Sequence, residues 1–386
     1  MIEEFEKQGN SSITLFLIMT VYLILFLVIS FINVIAWTSS GFADWYVSHV
    51  FPLWGETYGR LTGLFPFSVG EWMLYGFVVL LFFSAVAAVI LGIRFLIRRA
   101  KTGRFFLRFY RGVAWLLLVV YLIMTLNCLI LYHTNPFADK ILPEETARDY
   151  TVEELIQLRN RLVAQANELC EQMERDENGA VIYYGDAKAQ AVSQMQRLGE
   201  EIVQLQGYYP NPKRLFFSGF FSQQYILGYY FPFSMEANYN TQMYIMNEPA
   251  TFCHELSHLK GVLFEDDANF ISYLACSTSD DKFFQYSAVL SVLGYVDEAF
   301  FESLSENVEL YYQYPLISEQ VCKDSVFLTE EAWAAVEENA ILSTETVSKA
   351  SHAFLDTNLT LNGVEEGIAS YGNVVWLLLR YYDTMD

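Results

Sequence analysis

The chain has 386 residues and is 53% hydrophobic but only 18% charged, too apolar a balance for an ordinary soluble protein. Its formal net charge of −22 argues against a surface made to hold nucleic acid or anionic lipid headgroups. The two features separate along the chain: three long apolar runs occupy the first third, and an acidic globular sequence follows.

The apolar runs are Ile13 to Trp37, Trp72 to Ile93 and Val113 to Tyr132. Each holds about 20 or more residues without a charge, the length a helix needs to cross a bilayer. The first is too long for the apolar core of a signal peptide and lacks a small-residue cleavage site. Between the second and third runs, "RFLIRRAKTGRFFLRFYRG" carries seven basic residues and no acidic one. The loop before the second run has Arg60 as its only basic residue. Basic loops stay in the cytoplasm. The expectation is therefore a multi-pass membrane protein with a cytoplasmic N-terminus; its assignment to a bacterial plasma membrane comes from the family resemblance given below. Residues 1–133 form the membrane domain, and residues 134–386 form an extracytoplasmic domain. The segment from His133 onward has 14 Lys or Arg against 39 Asp or Glu, which argues against a nucleic-acid partner. The runs contain no acidic or basic residue to mark an ion path.

The outer domain opens with Thr151 and Glu154 in capping-box spacing, followed by Leu155, Leu158, Leu162, Ala166 and Leu169 at helical steps. A second amphipathic helix is predicted from about Ala187 to Leu205. The pair, at about 151–206, reads as a helical hairpin that packs on the domain or forms a stalk. The aromatic-rich segment Pro210 to Met235 is too interrupted to span a bilayer; it lines a pocket, dips into the outer leaflet, or packs in the core. Thr241 to Met246 has a strand-like pattern, in the place of an edge strand that holds a peptide by backbone hydrogen bonds. The five cysteines form no Cys-x-x-Cys pair, and no disulfide among Cys170, Cys253, Cys276 and Cys322 is readable. Adjacent helix positions diverge by about 100°, so Cys253 and His254 do not face one ion together.

The chemistry concentrates in "EPATFCHELSHLKGVLFEDDANF", Glu248 to Phe270. On a helix, His254 and His258 stack one turn apart and offer two imidazoles to a single Zn2+. Hydrolytic zinc keeps three protein ligands and one open position, where a water is acidified and Glu255 acts as general base. Pro249 suits the first helical turn and Gly261 the C-terminal cap. The third ligand comes from Glu265, Asp266 or Asp267, at the start of a second helix; Glu265 is favoured. Asn269, one turn later, is placed to hydrogen-bond a ligand. A transition-state stabiliser is sought among Tyr286, His352 and Tyr371.

"HELSHLKGVLFEDDANFISYLAC" resembles the gluzincin pattern, in which His-Glu-x-x-His is followed by Glu-x-x-Ala-Asp or Glu-x-x-Ala-Asn. More closely, the chain resembles a bacterial membrane family known as domain of unknown function thirty-eight-ten. The resemblance runs through "FPFSMEANYN", "EPATFCHELSHLKG", "EDDANFISYLAC", "FQYSAVL" and "SYGNVVWLLL". It implies zinc at His254, His258 and Glu265, with Glu255 as base. Two departures from gluzincins stand out: Asn269 replaces an acid, and the gap from His258 to Glu265 is short.

The expected fold is mainly α, with three N-terminal transmembrane helices before a mostly helical zincin-like (gluzincin) domain that has a small β element. The expected function is that of a membrane-anchored zinc metallopeptidase, with one Zn2+ and a peptide or protein substrate near the lipid bilayer. Two alternatives are a zinc-binding sensor or assembly module without turnover, and a zinc amidase acting on envelope components.

Overall fold

A computed structural model describes residues 2–98, 103–362 and 373–385. Three of its helices are long and apolar enough to cross a membrane, through Leu15–Thr38, Val69–Ile97 and Phe105–His133. They belong to α1 (Ile2–Thr38), α2 (Val69–Arg98) and α3 (Arg104–Met124), which continues through a π turn at Thr125–Leu129 and a short 3-10 turn at Leu131–His133.

The rest is mainly helical. Its frame is α4 (Val152–Glu171), α5 (Ala187–Glu201), α6 (Glu248–His258), α7 (Glu265–Ser277) and α8 (Lys282–Ser303), with α9 (Thr344–Leu361) and α10 (Val374–Asp383) towards the C-terminus. The capping box at the head of α4 is formed: the Glu154 N–H donates to Thr151 Oγ1 (3.3 Å), and the Thr151 N–H donates to Glu154 (2.7 Å). α4 lies along α8, burying Leu158, Leu162, Val163 and Ala166. α5 packs instead on α6 and α7. The two helices therefore do not pair as a hairpin or form a stalk; each covers a different side of the domain.

Three short strands form one sheet: β1 (Lys213–Arg214), β2 (Gly228–Phe231) and β3 (Glu236–Tyr239), in the order β1-β3-β2. β3 runs parallel to β1 and antiparallel to β2, with Gly228 opposite Tyr239 and Phe231 opposite Glu236. The sheet packs on α6, where the Tyr239 and Phe252 rings meet edge to face at 4.9 Å. The predicted strand over Thr241 to Met246 is a turn followed by a 3-10 turn. The cause is local. The Gln242 N–H donates to Asn240 Oδ1 (3.0 Å), and Asn240 Nδ2 donates to Ser222 Oγ (2.8 Å), which folds the chain back on itself.

The candidate spans end on this domain. Ala36, Ala43, Tyr46, Val47, Phe51, Ile130 and Leu131 share one buried core with Leu256, Leu259 and Val262. Two carboxylates cross the junction in opposite directions. Glu236 of β3 accepts the backbone N–H groups of Val69 (3.2 Å) and Gly70 (2.8 Å), the free donors at the start of α2. Glu71, in that same turn, accepts the N–H groups of Phe216 (2.8 Å) and Phe217 (2.9 Å). Lys213 pairs with the fully buried Glu236 and also donates to the Thr62 carbonyl (2.7 Å). A carboxylate placed like Glu236 on free helix N–H groups contributes roughly 1 kcal/mol.

Candidate metal centre

α6 begins with Pro249 in its first turn and ends before Gly261, whose φ of +81° suits a residue without Cβ. Its one-turn spacing sets His254 and His258 side by side, with ring centroids 4.8 Å apart and planes at 89°. The reversal at Gly261 brings the first turn of α7 back over them. His254 Nε2 lies 3.0 Å from Glu265 Oε2, and His258 Nε2 lies 4.0 Å from the same oxygen. The far side of each imidazole is tied. His254 Nδ1–H donates to Asn269 Oδ1 (2.9 Å), and His258 Nδ1–H donates to the Val262 carbonyl (2.7 Å). These bonds select the tautomer that presents both Nε2 atoms to the same point.

The electrostatics follow from burial and one carboxylate. Burial alone lowers the pKa of His254, but the hydrogen bond and charge of Glu265 overcome it and raise the imidazole to about 9. His258, more deeply buried and farther from Glu265, is lowered by burial to about 4. Burial raises Glu255 to about 8, the His254 charge opposing and the Glu265 charge adding. Burial also works against the Glu265 anion, but its bond to His254 and the charges of both imidazoles hold it below the usual carboxylate range.

The donor set suits one small divalent cation. Ligands at about 2.0–2.1 Å in a tetrahedron stand about 3.3 Å from one another. The 3.0 and 4.0 Å separations around Glu265 Oε2 bracket that value. The ligand atoms of His254, Glu255 and His258 lie within 4.8 Å of one another, and Glu255 Oε2 is buried without a hydrogen-bond partner among the described residues. A buried orphan oxygen is costly unless something polar meets it, and it sits beside the two imidazoles.

The walls come from elsewhere in the chain. Gly228, at the head of β2, lies against Glu255, and a Cβ there would come within 2.5 Å of Oε1. The Tyr230 ring packs on the His258 ring, with centroids 5.9 Å apart. Tyr229 alternates with these two along the strand; its ring is 42% exposed, while burial of its hydroxyl, then Cys128 and Glu255, raise the phenol to about 12. Burial, then Glu265 and Glu298, raise the Tyr295 phenol. Tyr132, at the end of the third span, is also within electrostatic reach of Glu265. Sequence reasoning missed these tyrosines as site residues. The one signal was the aromatic segment Pro210 to Met235, which supplies Gly228, Tyr229 and Tyr230.

Other expected residues lie elsewhere. Asp267 accepts the backbone N–H groups of Phe137 (2.6 Å) and Ala138 (3.0 Å), so its carboxylate faces away from the histidines. Asp266 accepts the N–H of Asp267 (3.0 Å). Tyr286 is fully buried and donates to Asp324 (2.8 Å), a residue also bound by Arg175. His352 is exposed on α9 and makes no hydrogen bond or ion pair with the cluster. Tyr371 lies outside the described residues. Cys253 points its sulfur at Cys276, 3.5 Å away, not at the histidines.

A family model described as "Protein of unknown function (DUF3810)" matches residues 46–379. The chain belongs to this family. The DUF3810 match takes in two of the three candidate spans, the histidine helix and most of α10, while α1 precedes it. The matched stretch thus joins two candidate spans and the histidine helix. No curated protein and no solved structure matches the chain.

Proposed function

We propose that the protein is a membrane-anchored zinc metallopeptidase of zincin-like, gluzincin type, hydrolysing peptide bonds at the outer face of a bacterial plasma membrane. The observation that carries this reading is the convergence of His254 Nε2 and His258 Nε2 on the Glu265 carboxylate, beside the partnerless Glu255 Oε2. His254, His258 and Glu265 are the ligands in this reading. A bound zinc ion supplies Lewis-acid polarisation of the scissile carbonyl and makes water acidic enough to attack at neutral pH.

This chain's residues do the rest. Glu255 takes a proton from the attacking water and delivers it to the leaving nitrogen. One water is consumed: its oxygen bonds to the carbonyl carbon, the C–N bond breaks, and the new amine carries the transferred proton. Tyr229, Tyr295 and Tyr132, whose phenols feel the charge of Glu255 or Glu265, are the candidates to donate to a developing oxyanion. The outer edge of β2, whose first residue Gly228 lies against Glu255, is where an extended substrate adds as a further strand. The outer location is supported by the basic segment Arg94 to Gly112 at the opposite ends of α2 and α3.

Purified protein should hold one zinc ion per chain and cut a randomised peptide library, and Glu255→Gln should keep the metal and lose cleavage. Stoichiometric zinc without any cleavage would favour the sensor or assembly module. Absence of zinc after loading would remove the metallopeptidase reading.

A further inference from the structure

The site is built onto the ends of the membrane spans, and a chain of contacts fixes its height. Asn127 lies in the π turn of the third span and is buried. Its Nδ2 donates to the Pro232 carbonyl (2.8 Å), and its own carbonyl accepts the Tyr230 hydroxyl (3.1 Å). The Tyr230 ring then packs on His258. A residue inside an apolar span is thus one side chain away from the histidine pair.

The other end of β2 reaches the second span. The Phe231 ring lies against Gly70, in the first turn of α2, where it leaves no room for a side chain. Gly70 in turn donates to Glu236, the cross-strand partner of Phe231. β2 therefore starts at the Glu255 carboxylate and finishes at the mouth of a membrane helix. Its four residues cover about 13 Å.

β2 is also an edge strand. The Asn240 N–H donates to the Leu227 carbonyl (2.8 Å), and this sets the antiparallel alternation. It turns the N–H and C=O groups of Gly228 and Tyr230 away from β3. Exposed aromatic rings follow β1, at the other edge of the same small sheet. Phe216 is 82% exposed and Phe217 54%, and the Phe217 ring is 5.3 Å from that of Tyr75 in α2. Exposed phenyl rings next to the first turns of a span belong at the boundary between headgroups and acyl chains.

We infer that the substrate is the juxtamembrane segment of a membrane-anchored polypeptide, held extended along β2 and cut within about four to six residues of the bilayer. The inference rests on the hydrolase reading above and adds the class of substrate. An anchor in the same bilayer raises the effective concentration of the segment at the edge strand, which a free peptide lacks.

The test uses the full zinc-loaded chain in nanodiscs of phosphatidylethanolamine and phosphatidylglycerol. Two peptide libraries share one randomised segment; in one it follows a hydrophobic helix, in the other a hydrophilic tag. The anchored library should be cut roughly tenfold faster or more, with cuts clustered next to the anchor. Equal rates, or cuts spread evenly along the segment, would overturn the inference and leave the hydrolase reading standing. Cleavage of neither library would count against the hydrolase reading itself. A second readout needs neither metal nor turnover: a photoreactive benzophenone residue placed at Tyr229 is irradiated with each library. Crosslinks to the anchored library close to its anchor support the inference, and equal crosslinking of both libraries overturns it.

Discussion

Gly228 and Glu255 touch so closely that a methyl group on the glycine would lie 2.5 Å from Oε1 and 2.6 Å from Cγ of the glutamate. The strand and the catalytic base of the proposed reaction therefore share one space. Gly228→Ala should push the carboxylate aside without touching the two histidines or Glu265. We expect the variant to keep its zinc but lose on the order of 10²-fold in kcat, the usual cost of a small misplacement. Metal analysis with steady-state rates on a library-derived peptide checks this, and an unchanged kcat would show that Glu255 has another way to sit.

Metal loading should expel protons. With its pKa raised to about 9 by Glu265 against burial, His254 carries a proton at pH 7 when no metal is present. A ligand nitrogen cannot hold both, so affinity should rise with pH until about 9, and loading at pH 7 should release at least one proton. Calorimetry in two buffers of different ionisation heat measures this directly. Heats that do not depend on the buffer would contradict it.

Glu255 gives a pH signature of its own in metal-free protein. Burial lifts its pKa from 4.5 to about 8, so the folded state prefers the neutral acid. Its contribution is fully present below pH 4.5 and is lost as pH rises towards 8, because the unfolded chain releases the proton earlier. Glu255→Gln stays neutral throughout. The variant should therefore match the parent protein in Tm near pH 4 and exceed it by several degrees near pH 9, in chelator-treated samples. A constant Tm difference across that range would argue that Glu255 meets more water than its burial indicates.

The neighbouring acids should separate by phenotype. Glu265→Gln should lose zinc. Asp267→Ala should keep zinc but strand the N–H groups of Phe137 and Ala138, at a cost of about 2–5 kcal/mol. Thermal denaturation alongside metal content tells the two apart. Zinc loss in the Asp267 variant without a fall in Tm would reverse the assignment.

Much of the geometry of the candidate site was legible because it is local. His254, Glu255, His258, Glu265 and Asn269 lie within sixteen consecutive positions, and helix periodicity with a reversal at Gly261 is enough to bring them together. The apolar runs were equally readable, since crossing a bilayer needs only length and composition. What failed was long-range. β2 and β3 are four residues each, too short to announce themselves, and the side chain of Asn240 overrides the strand-like pattern that follows it. Tyr286 was one of three candidate stabilisers, and its hydroxyl instead donates to Asp324, 38 positions away. Tyr132, Tyr229 and Tyr295 come from three separate parts of the chain, and only tertiary packing gathers them near the carboxylates.

The seat of Glu236 on the first turn of α2 bears on how the protein can be handled. A version trimmed to begin after His133 would lose the Val69 and Gly70 donors and the Thr62 carbonyl that satisfies Lys213. It would also bare the surface that Val47, Phe51, Ile130 and Leu131 now cover. Such a fragment should aggregate, not dissolve. The practical unit for expression is the intact chain in detergent or lipid, and the spans serve as part of the scaffold as well as the tether.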